Sequence, residues 1–263
     1  MNNNIDDLSI GVIMTIYRRD YYNEQILSIL NQSHKPNVIY VYQNESHIDF
    51  KPSEEVQKLA NELSVDIRHF HSKDHNFKFH GRFTLPLIMR TDYIAVFDDD
   101  TIPGNNWLKN CLYTSVNLNG IVGANGRILP GEGYKEIGLD PNDMPSENPI
   151  EVDYVGHCWF FKRDWIHHMW RIPPASLENG EDIHLAASLK VFGNIKCYMA
   201  QQPMGRKDMW GDTKPTFGWD DHASYKKPAH GDQRSNIMKY WESQGWSSCY
   251  ESQDGKVMKK QGS

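Results

Sequence analysis

Asp98, Asp99 and Asp100 stand in direct succession after the apolar run Tyr93-Ile94-Ala95-Val96-Phe97. The run reads as a buried strand, and the carboxyl ends of strands in an open α/β sheet are where ligands bind. Three adjacent carboxylates repel one another, and a cation among them removes that penalty. A hard divalent ion, Mg²⁺ or Mn²⁺, takes one or two carboxylates and completes its shell with substrate phosphates. The triplet therefore predicts a metal–diphosphate site. The alternative is a solvated acidic turn, since Asp is common in turns.

The elements around the triplet alternate. Ser9–Ile16 and Asn37–Tyr42 read as strands, with an amphipathic helix between them over Tyr22–Asn31. Ser53–Leu63 is a second helix with Ser53 at its start, Val65–Phe70 a third strand, and residues 81–90 read as helical despite Pro86. Such β-α-β-α-β-α-β order predicts an α/β fold: a mainly parallel sheet with helices on both faces. Beyond it, Gly120–Arg127 and Val152–Lys162 read as strands, Gly131–Pro149 as a long loop, and Glu178–Asp182 as the entry to a helix running through Leu189. Gln201–Pro228 has little periodicity, as lids and binding loops do. Residues 251–263 read as a solvated tail.

A chain of 263 residues suits one large α/β domain. No linker divides it, so a single domain over 1–263 is expected. Its net charge of −6 offers no general attraction to nucleic acid or to an anionic membrane. No run of 18 apolar residues and no signal-peptide pattern is present, which predicts a cytoplasmic protein. Cys111, Cys158, Cys197 and Cys249 lack paired metal spacing and read as reduced thiols. His69-Phe70-His71 has no partner at zinc-site spacing.

Several motifs, in this order and spacing, resemble a nucleotide-sugar glycosyltransferase of the GT-A (Rossmann-like) fold over roughly residues 8–245. Ile13-Met14-Thr15-Ile16-Tyr17-Arg18-Arg19 resembles the first strand and nucleotide-binding turn shared by family-2 and exostosin-like (family 64) transferases. Asp98-Asp99-Asp100 resembles their Asp-x-Asp motif, and Val155-Gly156-His157-Cys158-Trp159-Phe160-Phe161 the strand lining the acceptor cleft. Asn179-Gly180-Glu181-Asp182-Ile183 resembles the later acidic motif, and Gln233-Arg234-Ser235-Asn236 a segment of the exostosin catalytic domain. The resemblance implies a nucleotide-binding half over about 8–103, an acceptor and catalytic half over about 104–245, and irregular acceptor-side loops.

It also implies roles. Asp100 would ligate Mn²⁺ or Mg²⁺, with Asp98 beside it or reaching the ribose hydroxyls, and Asp99 on the other face or turned to the sugar. Thr15, Tyr17 and Arg19 would hold uracil and phosphates; a guanidinium suits phosphate oxygens and a ring gives a base something to stack on. Gln43 and Asn44 close the second strand, where an amide can pair with uracil, or they form a plain turn. Asn76 and Arg82 match base- or phosphate-binding positions. Asp182 would be the base of an inverting reaction or the stabilising carboxylate of a retaining one, and Glu181 would bind the acceptor; the ordinary alternative for both is a helix amino-terminus. Arg234 would face the departing diphosphate. His157, Trp159 and Trp219 would line the acceptor cleft, with Trp210 a further stacking candidate or a core residue. His222 or His230 would close over the metal, or be solvated.

The expected reaction is transfer from a UDP-sugar to a hydroxyl of a glycan acceptor. Animal exostosins carry a membrane anchor; this chain shows none, which points to bacterial or viral surface glycans and away from heparan-type substrates. Two rivals are a nucleotidyltransferase and a carbohydrate-binding module. The first usually has a Gly-rich basic loop after its first strand, whereas residues 15–19 hold no glycine. The second is usually all-β.

Overall fold

The computed structural model describes residues 4–130, 136–221, 223–227 and 229–252. The strands are β1 (Ile10–Ile16), β2 (Val38–Asn44), β3 (Asp66–Ser72), β4 (Tyr93–Phe97), β5 (Gly120–Ile128), β6 (Ile137–Leu139), β7 (Ile150–Val152), β8 (Tyr154–Lys162) and β9 (Lys196–Met199). The α-helices are α1 (Tyr22–Leu30), α2 (Glu54–Leu63), α3 (Trp107–Leu118), α4 (Ile166–Met169), α5 (Glu181–Gly193), α6 (His230–Ser243) and α7 (Cys249–Ser252). All strands join one sheet in the order β3-β2-β1-β4-β8-β5-β9-β7, with β6 on β5.

The first four strands are parallel. β1 and β4 are apolar almost throughout because helices cover both faces. Their side chains alternate with period two. Ile10, Val12 and Met14 of β1, with Tyr93, Ala95 and Phe97 of β4, pack toward α1, α2 and α3. Ile13, Ile94 and Val96 pack on the other face, with Ile183, Leu185, Ile237 and Trp241 of α5 and α6. α1 buries Tyr22, Gln25, Ile26, Ile29 and Leu30, an i, i+3, i+4, i+7 stripe. α2 starts at Ser53, whose Oγ accepts from the Val56 N–H at 3.2 Å, and ends on left-handed Ser64.

Strand order turns around at β1, which has β2 on one side and β4 on the other. Such a switch point opens a crevice at the carboxyl ends of the strands. Met14 pairs with Phe97 there, and Thr15 Oγ1 donates to the Phe97 carbonyl at 3.1 Å. The Arg19 turn and the acidic triplet therefore leave the sheet side by side.

The α/β sheet expected, mostly parallel and flanked by helices, is present; its second half differs in detail, with β8 antiparallel to both β4 and β5. The strand expected over Val152–Lys162 breaks at Asp153, giving β7 and β8. Residues 131–135 of the expected loop lie outside the described residues, and β6 occupies 137–139 of it. The helix expected over 81–90 is a 3₁₀ segment, Gly81–Leu87, as suits a Pro at its centre. Residues 201–221 are largely irregular, as expected. Of the expected tail, residues 253–263 lie outside the described residues. All four cysteines are free and buried. Among the described residues no helix is long and apolar enough to cross a membrane.

Asp153 shows why the strand breaks. Its buried carboxylate accepts from the Leu129 N–H (2.7 Å), Ser248 Oγ (2.6 Å) and the Cys249 N–H (2.6 Å), tying α7 to the sheet. Leaving a buried donor unpaired costs about 1–3 kcal/mol. Asp153→Ala should therefore lose at least about 2 kcal/mol in urea unfolding at an unchanged slope; a midpoint within error of wild type would refute the anchoring role.

Candidate active site

The triplet leaves β4 in a turn that separates the side chains of Asp98 and Asp99. Asp98, on the Ile94 and Val96 side, pairs with Arg82. Asp99, on the Phe97 side, pairs with Arg19. The backbone of the turn is held by Gln25 of α1, whose Nε2 donates to the Asp98 carbonyl at 2.6 Å and to that of Thr101 at 2.7 Å.

Arg19 also lies 3.1 Å from Asp100 Oδ2 and grips Asp220 with two nitrogens, at 2.7 and 3.0 Å. Asp220 ends a segment laid over the acids. Thr213 N donates to the Ile102 carbonyl at 2.8 Å, Lys214 pairs with Glu24, and Phe217 stacks on Tyr21 with ring centres 4.3 Å apart. Gly218 crosses Asp100 with φ 78°, and a Cβ there would collide with Asp100 Oδ2. Asp100 Oδ1 is buried with no hydrogen-bond partner among the described residues.

On the other side, Arg82 sits on the 3₁₀ segment, 3% exposed. It reaches from Asp98 to Glu181 Oε1 at 3.0 Å, with its guanidinium 4.6 Å from the centre of the Trp159 ring. Glu181 opens α5, after left-handed Gly180. Asp182 accepts from Arg234 of α6 at 2.8 Å and from the Ile183 N–H at 2.7 Å. Arg234 also reaches Asn179 Oδ1 at 3.3 Å and lies over Tyr154, its guanidinium 5.1 Å from the ring centre.

This crowding shows in the acid–base equilibria. Burial, then Asp98 and Asp99, push Asp100 from 3.8 to about 7. Burial, then Asp182, push Glu181 from 4.5 to about 7 against the pull of Arg82. Burial also raises Asp99. Among the described residues no group of three or more His, Cys, Asp or Glu side chains is placed to hold a metal ion by itself, so a cation at the orphaned Asp100 oxygen would have to draw further ligands from a diphosphate.

The structure thus gathers Arg19, Arg82, Asp98, Asp99, Asp100, Glu181, Asp182 and Arg234 around one crevice. Thr15 lies on its wall. Tyr17 stands at the rim, 5.0 Å edge-on to His47, with the Arg18 guanidinium over its ring, 4.9 Å from the centre. Asn76 donates to Glu45 Oε2 at 3.0 Å, and Asn44 holds the same loop by accepting from the Phe77 N–H at 3.1 Å. Gln43 is a correction: it is 0% exposed, and its amide is used by the Ile48 carbonyl (2.6 Å) and His69 (2.8 Å), leaving nothing to read a base. Trp159 is a second: 3% exposed and edge-on to Phe83, it is a floor for Arg82, with no open face for a sugar. Trp210 is likewise buried, whereas Trp219 on the overlying segment is 69% exposed. His230 meets Asn179 at 3.0 Å, on the Asp182 side of the crevice. His222 lies outside the described residues. Asp220 and Gly218 went unforeseen, because nothing local in an irregular segment marks a partner some 200 positions away.

An α/β sheet of this topology, with acids at its switch point and an acidic helix start across the crevice, is the GT-A architecture. Residues 11–170 match the family described as Glycosyl transferase family 2, and the chain belongs to that family. No curated protein matches it. Among solved structures it is similar to that of S. aureus TarS, at 14% identity and a TM-score of 0.49, over 74% of this chain. The chain spans 37% of that protein's length.

A carboxyl with a raised folded pKa stabilises the fold below its ordinary pKa, and the contribution is lost as pH climbs through the folded value. For Asp100 that window runs from 3.8 to about 7. His80, held near 4 by burial and by His184, works in the opposite direction, so the difference between two proteins is the clean measure. Asp100→Asn, which mimics the protonated carboxyl, should gain melting temperature relative to wild type between about pH 5 and about pH 7.5. A constant difference across that range would contradict the assigned burial of the charge.

Proposed function

We propose that this chain is a metal-dependent glycosyltransferase that moves a sugar from a UDP-sugar to a hydroxyl of a glycan acceptor, within one catalytic domain. The observation that carries the reading is the crevice itself: an acidic strand end at the sheet's switch point, joined through Arg82 to the Glu181–Asp182 start of α5. Family-2 membership supports the reaction class, and with it the inverting course over the exostosin-like alternative.

Asp100, with Asp98 next to it, would hold Mn²⁺ or Mg²⁺. The ion would neutralise charge on the departing diphosphate. Arg19 offers a guanidinium at the end of β1, where phosphate oxygens would replace the Asp220 carboxylate. Tyr17, Asn76 and Asn44 border the place where a base would lie. Asp182 takes the proton of the acceptor hydroxyl. The acceptor oxygen forms its bond to the anomeric carbon as the bond to diphosphate breaks, and the electron pair leaves with diphosphate. Arg234 fixes the direction in which Asp182 points. Glu181, with a pKa raised to about 7, can carry a proton near neutrality and hydrogen-bond an acceptor hydroxyl. Trp219 presents an exposed ring suited to a sugar face.

Titration calorimetry with UDP, GDP and CDP, with and without Mn²⁺, tests the donor assignment. Only UDP should bind well, and only with metal; Asp100→Asn should abolish that binding in a folded protein. Equal binding of UDP by the variant would sink the metal assignment. Asp182→Ala should keep UDP affinity and lose transfer by at least ~100-fold, the scale of a missing acid–base group. Near-normal transfer would move the catalytic role to another residue.

A further inference from the structure

His157 is set beside the acidic triplet by a distortion of its own strand. β8 pairs with β5 at Gly123↔Trp159 and resumes at Asn125↔Gly156, so Cys158 and His157 together face the single residue Ala124. That is a bulge with its extra residue on β8, a device that re-aims side chains near active sites. The residue in the left-handed region is His157, with φ 64°, and not its neighbour Gly156. Glycine would take such a conformation freely, while a side chain there is tolerated only where the surroundings enforce it.

The register on the other side places this residue. Phe97 pairs with Cys158, which puts His157 directly across from Asp98. The Asp98 N–H donates to the His157 carbonyl at 3.2 Å, and Thr101 Oγ1 donates to the same oxygen at 3.1 Å. Two polar atoms of this corner, His157 Nδ1 and Asp100 Oδ1, are buried without a partner among the described residues. The imidazole lies within electrostatic reach of the Asp100 carboxyl.

We propose that the His157 imidazole is a protein ligand, with the Asp100 carboxylate, of the divalent cation that accompanies the donor diphosphate. The assignment rests on the metal-dependent reading above. It replaces acceptor binding as the role of His157, and it makes His230 unnecessary as a ligand. A nitrogen ligand favours a transition ion over Mg²⁺, so Mn²⁺ is the ion this corner selects.

The test uses the whole chain with UDP and either Mn²⁺ or Mg²⁺. In wild type, electron-spin-echo modulation of bound Mn²⁺ should show a directly bonded ¹⁴N. His157→Gly should lose that nitrogen and weaken Mn²⁺–UDP binding by at least ~10-fold, as loss of a metal-site partner does. Its Mg²⁺–UDP binding should fall less. Its melting temperature should hold or rise, because glycine suits the left-handed backbone; a residue kept for structure alone would behave in the opposite way. His157→Asn, which also tolerates that backbone, gives the same spectroscopic reading should the glycine variant fold poorly. His230→Ala should keep the nitrogen signal. A nitrogen signal that survives in His157→Gly, is lost in His230→Ala, or is missing from wild type while UDP binding still requires Mn²⁺, overturns the assignment alone. UDP binding by wild type that ignores metal overturns the metal-dependent reading, and this ligand with it.

Discussion

A guanidinium leaves water only where its charge is matched. Arg82 has its charge matched by two carboxylates from opposite sides of the crevice, Asp98 at the end of β4 and Glu181 at the start of α5, over the face of Trp159, while its Nε is buried with no partner among the described residues. The parallel half of the sheet supplies the first and the mixed half supplies the α5 side. This one buried cation therefore sets where the acidic strand end stands relative to the catalytic helix. Removing one member of such a group strands a charge in a poorly solvated place, at about 3–5 kcal/mol.

The same accounting extends over the whole crevice. Asp98, Asp99, Asp100, Glu181, Asp182 and Asp220 are met by Arg19, Arg82 and Arg234. Each arginine is shared or fully engaged, and the surplus is negative. The protein answers by holding protons on Asp100 and Glu181 to unusually high pH. A site built this way has room for positive charge at the strand end, and it keeps its arginines within reach of an incoming anion.

Much of this was legible in the sequence because it is local. The apolar run before Asp98, the helix start at Glu181 and the alternation of strands with helices each declare themselves within a dozen residues. The roles of side chains that depend on distant partners did not. Gln43 reads as a strand-end amide free to pair with a base, yet Ile48 and His69 claim it. Trp159 reads as a cleft residue from its strand, but the cation above it comes from a 3₁₀ turn far earlier in the chain. Arg234 reads as a phosphate partner, and only the packing of α6 on α5 turns it toward Asp182. The bulge at His157 has no signature beyond an adjacent glycine.

At Gly218 two independent restrictions meet. The backbone is left-handed, and Asp100 occupies the space a Cβ would need. Relieving either leaves the other in force. Trimming the side chain at 100 would clear the collision but not the φ penalty, and a local backbone shift would do the reverse. The two positions are therefore coupled: a carboxylate at 100, packed this closely, leaves room only for glycine at 218.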